Sequence, residues 1–591
     1  MCVTTLGLAA VSCVDSDYDV SEDIDMTVGV GADGLKFKLG STQKILMKNV
    51  LEVDEDFKTD ATNMYYLIKS GNTSSDFNIG SVSSNIDDVE YTTDAPVIDY
   101  DLIKSVIDDV PSGSLPVPSG FKIQTPGEVS ASGNFTYDVK DIDDDIISVE
   151  RLNFYDRAKA RIVLEIQNSG MDFKFLDMTG MEITLPDYLV VEDYSNGTVE
   201  GNVLKVDDIR DIYDSKVALG EVFVRSVYLG DTPISDDRTM HLDADVSFKS
   251  SFNFIAGSSF DVSEGDVVNV SVKIYIEDND GTPGSVSVRS AEGKFDPAIE
   301  PRVDDIDISS SLPDFLKDDE VTISVANPTF KFESDMTDIP VQLAFSIRTA
   351  SKKNGAETAN VWFPGEDSRA YLYNNQKNIL YFHQSEEGPY DPEGVVESAD
   401  KYRVPNISSL VHKLPDFISV DLSDGKVRVD NSETTKVELN RNYNFSANYN
   451  VYVPFEFDAG LKIVYTDSIE NIHDDIEDYE ADSAAVSAVI ENVVPLDLDL
   501  EIIPVGLDGR ELSCIHIDKV KINAAKGDAP ENTEVYLNVS LDNRSDLKKL
   551  DKLLLRISAN SINNGKLNSQ QYIQAKDIRL ILKGQVVCDL N

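Results

Sequence analysis

The chain has 591 residues, with 52 lysines and arginines against 106 aspartates and glutamates, and a formal net charge of −54. Nucleic-acid binding depends on basic side chains that neutralise phosphates, and attraction to anionic lipids needs a polybasic segment, so this charge argues against both. Hydrophobic residues make up 41% of the chain, which is a globular rather than a disordered composition. The length allows several domains of about 100–200 residues each.

The N-terminus changes abruptly from apolar to acidic at Cys13. Residues 8–12 read Leu-Ala-Ala-Val-Ser, and residues 14–19 read Val-Asp-Ser-Asp-Tyr-Asp. The segment before Cys13 is shorter than the roughly 20 apolar residues that span a bilayer, but it fits the hydrophobic part of a signal peptide. This pattern resembles the lipobox and the acidic surface-export signal of Bacteroidota outer-membrane lipoproteins. The resemblance implies lipidation of Cys13 and attachment to the outer membrane by lipid alone, facing the cell exterior.

The same residues allow a plainer interpretation. No Lys or Arg precedes Lys36, although a signal peptide normally opens with a basic region. Either the sequence begins late within a signal peptide, or an apolar N-terminus packs against a domain and Cys13 is an ordinary thiol. We expect the lipoprotein, because Cys13 stands where an apolar run meets a polar linker.

The rest of the chain reads as β-strands. Apolar and polar residues alternate in short runs that are rich in Val, Ile, Phe and Tyr and are separated by Gly, Asn, Asp and Pro. This is the pattern of half-buried antiparallel strands and turns, whereas helical periodicity is rare. Because a sheet needs a second layer to bury its apolar face, we predict an all-β fold of tandem antiparallel β-sandwich domains. The clearest runs are 173–175, 272–276, 329–332, 451–453 and 496–500.

A five-residue motif occurs three times. Leu-Pro-Asp-Tyr-Leu at 185–189 returns as Leu-Pro-Asp-Phe-Leu at 312–316 and as Leu-Pro-Asp-Phe-Ile at 414–418, at spacings of 127 and 102 residues. Proline cannot donate to a strand ladder, while the aromatic residue that follows can fill a core. We therefore predict a structural corner that opens each repeat, with Tyr188, Phe315 and Phe417 buried.

A second element recurs around an asparagine. Residues 325–330 read Val-Ala-Asn-Pro-Thr-Phe and are followed by Ile-Pro-Val at 339–341, and looser versions stand at 166–169 and 491–496. These strand patterns resemble those of late-embryogenesis-abundant (LEA-like) β-sandwiches. The resemblance covers about 40 residues per copy and implies the same class of fold.

Composition shifts suggest the domain borders. We predict a signal peptide at 1–12, an acidic tether at 13–25, a small β domain at 26–95 and a linker at 96–126 rich in Pro, Gly and Ser. Four β domains would follow. Their predicted bounds are 127–300, 301–400, 401–490 and 491–591.

The four cysteines leave two in the body of the chain, since Cys2 lies in the predicted signal peptide and Cys13 carries the predicted lipid. Cys514 and Cys588 both stand in strand-like runs. An exported protein could oxidise them to a disulfide, and two buried free thiols are equally consistent with the sequence.

The best candidate for a metal site is Glu277-Asp278-Asn279-Asp280-Gly281. Carboxylates at alternating positions before a glycine turn, here Asp278 and Asp280, resemble the start of a calcium loop. The twelfth position counted from Asp278 is Arg289 instead of the glutamate that completes an EF-hand, so a plain hairpin turn is the alternative. Calcium is the only cofactor that the sequence suggests.

Two surface features are candidates for recognition or modification. Aromatic residues are densest at 362–390, and Trp362, Tyr371, Tyr373 and Tyr381 could stack on a glycan or could simply face a core. Ser468 and Ser483 stand in Asp-Ser-aliphatic sequences that resemble the O-glycosylation pattern of Bacteroidota. They flank an acidic stretch, 467–482, that we predict to be a solvated loop.

Signatures of enzymes are absent: there is no GxSxG, no phosphate-binding glycine loop and no HExxH, and the five histidines are far apart. We therefore expect no enzymatic activity. The resemblance to surface lipoproteins implies a binding or scaffold protein, an accessory subunit of an outer-membrane β-barrel complex for assembly or uptake. Its partners would be the barrel protein or other surface lipoproteins. The alternative is a glycan-binding or adhesive surface lipoprotein, whose partner would be a surface polysaccharide.

Overall fold

The structure is a computed structural model that describes residues 28–107, 114–277, 284, 286–311, 316, 321–422, 427–458, 460–476, 479–480, 483–527, 529–561 and 565–588. Strands dominate these residues, and every described strand pairing is antiparallel except that of Lys377–His383 with Asp400–Arg403. Two α-helices are short, Tyr100–Val106 (α1) and His473–Ile476 (α2). Neither helix in the described ranges has the length and apolarity needed to cross a bilayer. The predicted all-β class is confirmed.

The strands are numbered in chain order. The first fourteen are β1 Val28–Gly40, β2 Ile45–Leu46, β3 Phe57–Thr59, β4 Tyr65–Ile79, β5 Ser83–Asn85, β6 Val89–Thr92, β7 Ile98–Asp99, β8 Leu115–Val117, β9 Lys122–Gln124, β10 Val129–Lys140, β11 Ile146–Ser169, β12 Phe173–Thr184, β13 Leu189–Tyr194 and β14 Gly197–Glu200. The next fifteen are β15 Val203–Val206, β16 Lys216–Tyr228, β17 Met240–Ala256, β18 Phe260–Val262, β19 Val267–Glu277, β20 Val288–Phe295, β21 Ile306–Asp307, β22 Thr329–Asp335, β23 Leu343–Phe345, β24 Ile347–Lys353, β25 Ala356–Phe363, β26 Ala370–Leu372, β27 Lys377–His383, β28 Asp400–Arg403 and β29 Phe417–Asp421. The last fourteen are β30 Val427–Val429, β31 Thr435–Glu438, β32 Arg441–Pro454, β33 Glu456–Phe457, β34 Lys462–Ile469, β35 Tyr479–Glu480, β36 Ser483–Asn492, β37 Leu496–Gly506, β38 Ile515–Ile517, β39 Val520–Ile522, β40 Glu531–Leu541, β41 Leu550–Ser561, β42 Gly565–Lys566 and β43 Tyr572–Cys588. The five clearest alternating runs all lie in strands, namely β12, β19, β22, β32 and β37, as predicted.

The first sandwich packs a seven-stranded sheet, in the order β14-β15-β12-β17-β10-β5 with β9 on β17, against an eight-stranded sheet with the order β13-β16-β11-β19-β6. The second sheet is extended by β7, β20 and β31. The two sheets approach closely at Tyr91, whose hydroxyl donates to the Asn134 carbonyl at 2.9 Å. A Cβ at Gly133 would lie 2.0 Å from the Tyr91 ring, so this position requires glycine.

The second sandwich packs the six-stranded sheet β28-β27-β22-β32-β4-β3 against two smaller sheets, β21-β29-β24-β25 and β26-β23-β30. Aromatic rings fill the space between the layers. Phe330 meets Phe363 edge-on with ring centroids 5.0 Å apart, and Phe363 stacks on Phe382 at 5.2 Å. Such pairs contribute about 0.5–1.5 kcal/mol each beyond the apolar area they bury.

The third unit consists of the sheet β1-β43-β36-β40-β38, with β2 and β35 on β43, and the sheet β34-β41-β37-β39. Ile515 of the first of these sheets and Leu550 of the second belong to one small buried cluster. Most side chains of β36, β40 and β41 are only half-buried, in contrast to the other two sandwiches.

The predicted domain borders are wrong, because strands that are distant in sequence share sheets. The segment predicted as an independent domain at 26–95 is divided: β1 pairs with β43, β4 pairs with β32, and β6 pairs with β19. The predicted linker at 96–126 contains α1, β8 and β9, which belong to the first sandwich. The segments 301–400 and 401–490 form one sandwich, since β22 lies between β27 and β32. Spacing along the chain cannot reveal such pairings, because the backbone N–H and C=O groups of a strand can pair with any strand that the tertiary fold brings beside it.

The recurring asparagines have a shared structural role. The Asn168 amide donates to the Phe173 carbonyl at 3.0 Å, and Asn327 accepts from the Ser385 amide at 2.9 Å. Asn492 is fully buried and donates to the Asn523 carbonyl at 2.9 Å while accepting from the Val494 amide at 2.8 Å. Each side chain therefore satisfies backbone groups where a strand gives way to a loop.

The Leu-Pro-Asp motif precedes a strand in both described copies, β13 and β29. Tyr188 is buried, and its hydroxyl donates to the Phe135 carbonyl at 3.2 Å, as expected of a core residue. Phe417 is 43% exposed at the first position of β29, so the prediction that it fills a core is wrong. Phe315 lies outside the described residues.

Candidate functional site

A cleft of about 740 Å³ lies where the first and second sandwiches meet. Strands β11, β13, β16, β20, β31 and β32 supply most of its wall, together with the turns that follow β22 and β26. Its size is in the range of small-molecule sites, which is about 300–1,000 Å³. The lining residues, mostly polar, are Asn153, Phe154, Glu192, Arg225, Arg289, Ser290, Thr337, Asp338, Pro340, Asn375, Lys436, Val437, Glu438, Arg441 and Tyr443.

Arg225 reaches the cleft from the outer face of β16. Val222, Val224 and Ser226 are buried, whereas Phe223 and Arg225 between them are more exposed, so alternation along the strand places Arg225 on the outer face. The register of β11 with β16 shifts between Asn153 and Ala158, beside this position. Arg225 is exposed, and no acidic side chain in the described part of the chain forms an ion pair with it.

On the opposite wall of the cleft, Glu438 at the end of β31 pairs with two arginines. Its carboxylate accepts from Arg441 at 2.7 Å and from Arg289 at 3.3 Å. The bond from Arg441 is the largest reason that the pKa of Glu438 lies below its usual range, so this carboxylate is ionised near neutral pH. The Arg441 guanidinium also lies 5.3 Å from the Tyr443 ring centre, and the Tyr443 hydroxyl donates to the Glu438 carbonyl. These contacts fix both arginines in place.

The remaining charges leave the cleft less acidic than the rest of the protein. Lys436 is 3.9 Å from Glu292, but Glu292 is also 3.6 Å from Arg151. Glu192 is 3.8 Å from Arg157, which lies just outside the lining. Four basic residues therefore stand against three acidic ones in the lining, although acids outnumber bases twofold in the whole chain.

The sheet surface beside the cleft carries arginines over aromatic rings. Arg157 lies 4.6 Å from the Phe223 ring centre, and Arg161 lies 5.2 Å from that of Tyr275. Arg151 lies 5.7 Å from the ring of Tyr228, which is itself 50% exposed. Stacking of this kind favours one orientation of a guanidinium over the ring.

The predicted aromatic glycan platform is not one surface. Trp362, Tyr371 and Tyr381 lie in β25, β26 and β27, which belong to three different sheets. Tyr381 is fully buried, so the prediction that it stacks on a glycan is wrong. Its ring lies beneath the loop between β27 and β28, where its hydroxyl donates to Asp391. Trp362 and Tyr371 are half-buried, and Tyr373 is 39% exposed.

The two candidate O-glycosylation sites lie in strands. Ser468 is in β34 with its hydroxyl donating to Glu470 at 3.2 Å, and Ser483 is the first residue of β36. Both are half-buried. The stretch between them was predicted to be a solvated loop, but it includes the end of β34, α2 and β35. Modification at either serine stays a prediction.

Several other predicted residues have no described position. Cys13 and the proposed calcium ligands Asp278 and Asp280 lie outside the described residues. Cys514 carries a free, half-buried thiol in the turn before β38. Across the described ranges, no three His, Cys, Asp or Glu side chains are arranged to hold a metal ion.

The sequence alone does not reveal the cleft, because the basic residues of the cleft are scattered along the chain. Arg225, Arg289 and Lys436 are each separated by more than 60 positions and carry no motif. A visible signal was the concentration of arginine in 151–161, within an otherwise acidic chain.

Comparisons with known proteins give little guidance. No family model and no curated protein matches the chain. The chain is similar to the crystal structure of a presumed secreted protein from Parabacteroides distasonis ATCC 8503, with 14% identity, a TM-score of 0.34, and coverage of 50% of this chain and 83% of the other. A likeness of that size identifies neither a shared fold nor a shared function.

Proposed function

We propose that the chain is a lipid-anchored surface protein that acts by binding. The observation that carries the proposal is the cleft between the first two sandwiches, where Glu438 holds Arg289 and Arg441 in position, and Tyr443 also contacts Arg441, before any ligand arrives. Groups that are already in position favour binding, because less conformational entropy is lost when the ligand docks. The apolar-to-acidic change at Cys13 supports the lipid anchor.

The partner that the N-terminal resemblance favours is an outer-membrane β-barrel complex, on which this chain would sit as an accessory subunit. Specific protein interfaces bury about 1,200–2,000 Å². The outer faces and edges of the three sheet units are the surfaces on which such a partner would dock. The arginine and aromatic residues beside the cleft support such a role, since Arg and Tyr are enriched at interfaces.

Affinity purification of a tagged full-length chain from its own outer membrane, after mild detergent extraction, tests this partner. We expect a barrel protein to co-elute in a fixed ratio and to survive size exclusion. Elution of the chain alone under the same conditions would count against the barrel partner. Capture of surface polysaccharide without any barrel protein in that experiment would favour the alternative, a glycan-binding lipoprotein.

A further inference from the structure

We infer that the cleft between the first and second sandwiches binds an acidic saccharide, a sugar chain in which units that carry a carboxylate or a sulfate are separated by neutral units. The inference rests on the proposal that the chain acts by binding and is independent of a barrel partner. The acidic group would meet Arg225 and Lys436, and the sugar hydroxyls would meet the neutral polar lining.

The charge pattern defines the anionic part of the ligand. Arg225 has no carboxylate partner among the described residues, and Lys436 shares its distant partner Glu292 with Arg151. Arg289 and Arg441, in contrast, are already paired with Glu438. Arg225 and Lys436 are therefore the positive charges of the lining that an anionic ligand would neutralise. Hydrogen bonds to ionised groups are stronger than those between neutral groups.

The net charge of the chain limits how anionic the ligand can be. A formal charge of −54 repels dense polyanions at long range, so nucleic acids and polyphosphates are disfavoured. A ligand with separated acidic groups on a neutral body suffers less of this repulsion. Saccharides built from acidic and neutral units have that charge spacing.

The neutral lining distinguishes a saccharide from a peptide. Asn153, Thr337 and Asn375 line the cleft with amide and hydroxyl groups, which suit hydroxyl-rich ligands. The Thr337 hydroxyl donates to Asp335 and the Asn153 amide to Glu292, which leaves the oxygens of both side chains to accept, while the Asn375 amide can donate or accept. Three of the four apolar or aromatic lining residues are buried, Phe154, Val437 and Tyr443, and the fourth, Pro340, is half-buried. A peptide normally anchors an apolar or aromatic side chain in an open apolar pocket, and these buried residues offer none.

Calorimetry on the purified full-length chain in mild detergent tests the inference. The probes are a hyaluronan oligosaccharide (carboxylate on alternate units, no sulfate), a κ-carrageenan oligosaccharide (sulfate on alternate units, no carboxylate), maltohexaose (neutral) and oligoglutamate (an acidic peptide). We expect at least one acidic saccharide to bind, with affinity that falls as salt is raised, and maltohexaose to bind much more weakly. Which acidic saccharide binds identifies carboxylate or sulfate as the recognised group.

The double variant Arg225→Gln with Lys436→Gln should weaken binding by about a hundredfold or more, because each of the two lost charge-assisted hydrogen bonds contributes about tenfold or more to the affinity. The matched control is Arg510→Gln combined with Lys377→Gln, which removes the same charge from exposed residues outside the cleft lining. Melting temperatures of all variants establish that they are folded.

Three outcomes would overturn the inference: equal binding of maltohexaose, tighter binding of oligoglutamate than of any saccharide, or equal loss of affinity in the double variant and the control. Failure of a barrel protein to co-purify would affect the proposed partner without changing these measurements.

Discussion

The Lys331 ammonium lies 3.2 Å from the Asp391 carboxylate in a nearly dry environment, with 9% of the lysine side chain and none of the aspartate side chain exposed. Asp391 belongs to the loop between β27 and β28, and it also accepts from the Tyr381 hydroxyl at 2.7 Å. Lys331 has a second partner in Glu333 at 3.1 Å. The ion pair therefore fastens a long loop to the six-stranded sheet of the second sandwich.

Removing one partner of this pair should be costly. Burial acts to lower the pKa of Lys331, but its bond to Glu333 and the charge of Asp391 outweigh burial and raise that pKa, so the lysine is charged in the folded protein. Lys331→Met would leave the buried Asp391 carboxylate without a cation. We expect a loss of about 3–5 kcal/mol in the free energy of unfolding, measured by urea denaturation.

The control for this variant is Lys377→Met in the same sheet. Lys377 is 78% exposed and 3.5 Å from Asp335, so its pair should contribute about 0–1 kcal/mol. If both variants lost the same stability, the Lys331 pair would not have the role that its burial indicates.

The pKa of His241 should be raised in the folded protein. Its Nδ1 is 2.6 Å from Asp138, which is the main cause, and Asp243 adds to the effect. A raised folded pKa stabilises the fold fully below the unfolded value of about 6.5, and this contribution is lost as pH rises through the folded pKa. An NMR titration should give a His241 pKa above that of an unstructured peptide. Asp138→Asn should lower it more than Asp243→Asn does, and the opposite order would contradict the geometry.

Asn492 should be far more sensitive to substitution than an exposed asparagine. Asn492→Ala would remove the side-chain partner of the buried Val494 amide and of the buried Leu496 carbonyl. Each unsatisfied buried group costs about 1–3 kcal/mol. Thermal unfolding should show a clearly lowered midpoint, whereas Asn538→Ala on the exposed side of β40 should change stability by about 0.5 kcal/mol or less. Equal effects would mean that Asn492 has no special role.

The sequence predicted what depends on neighbouring residues and missed what depends on distant ones. Runs such as 272–276 alternate visibly, so the strand and its buried face follow from local pattern. The partner of β1 is β43, more than 500 residues away, and no local pattern encodes that pairing. Asn327 was recognised as part of a recurring element, but its bonds to the loop after β27 required the structure.

The same distinction, between residues that are close in sequence and residues that are close in the fold, explains why the cleft could not be predicted. The aromatic residues at 362–390 are adjacent in sequence and were therefore noticed, yet their strands diverge into three sheets. Arg225 and Lys436 are 211 positions apart and line one cleft, because β20 pairs with β11 on one side and with β31 on the other. Proximity along the chain was a poor guide to proximity in the folded protein.

The last prediction concerns the lipid anchor. If Cys13 is acylated, cells fed an alkyne-labelled fatty acid should incorporate the label into this chain, and Cys13→Ser should abolish the label and release the protein from the membrane fraction. Stable anchoring takes more than one acyl chain, and Cys13 would carry all of them. Its replacement should therefore remove membrane retention rather than merely reduce it. Cys514→Ser is the matched control, because it removes a free thiol that lies in the folded body. Retention of the label in Cys13→Ser, or pelleting of that variant with the outer membrane through detergent-free washes, would show that the attachment lies elsewhere.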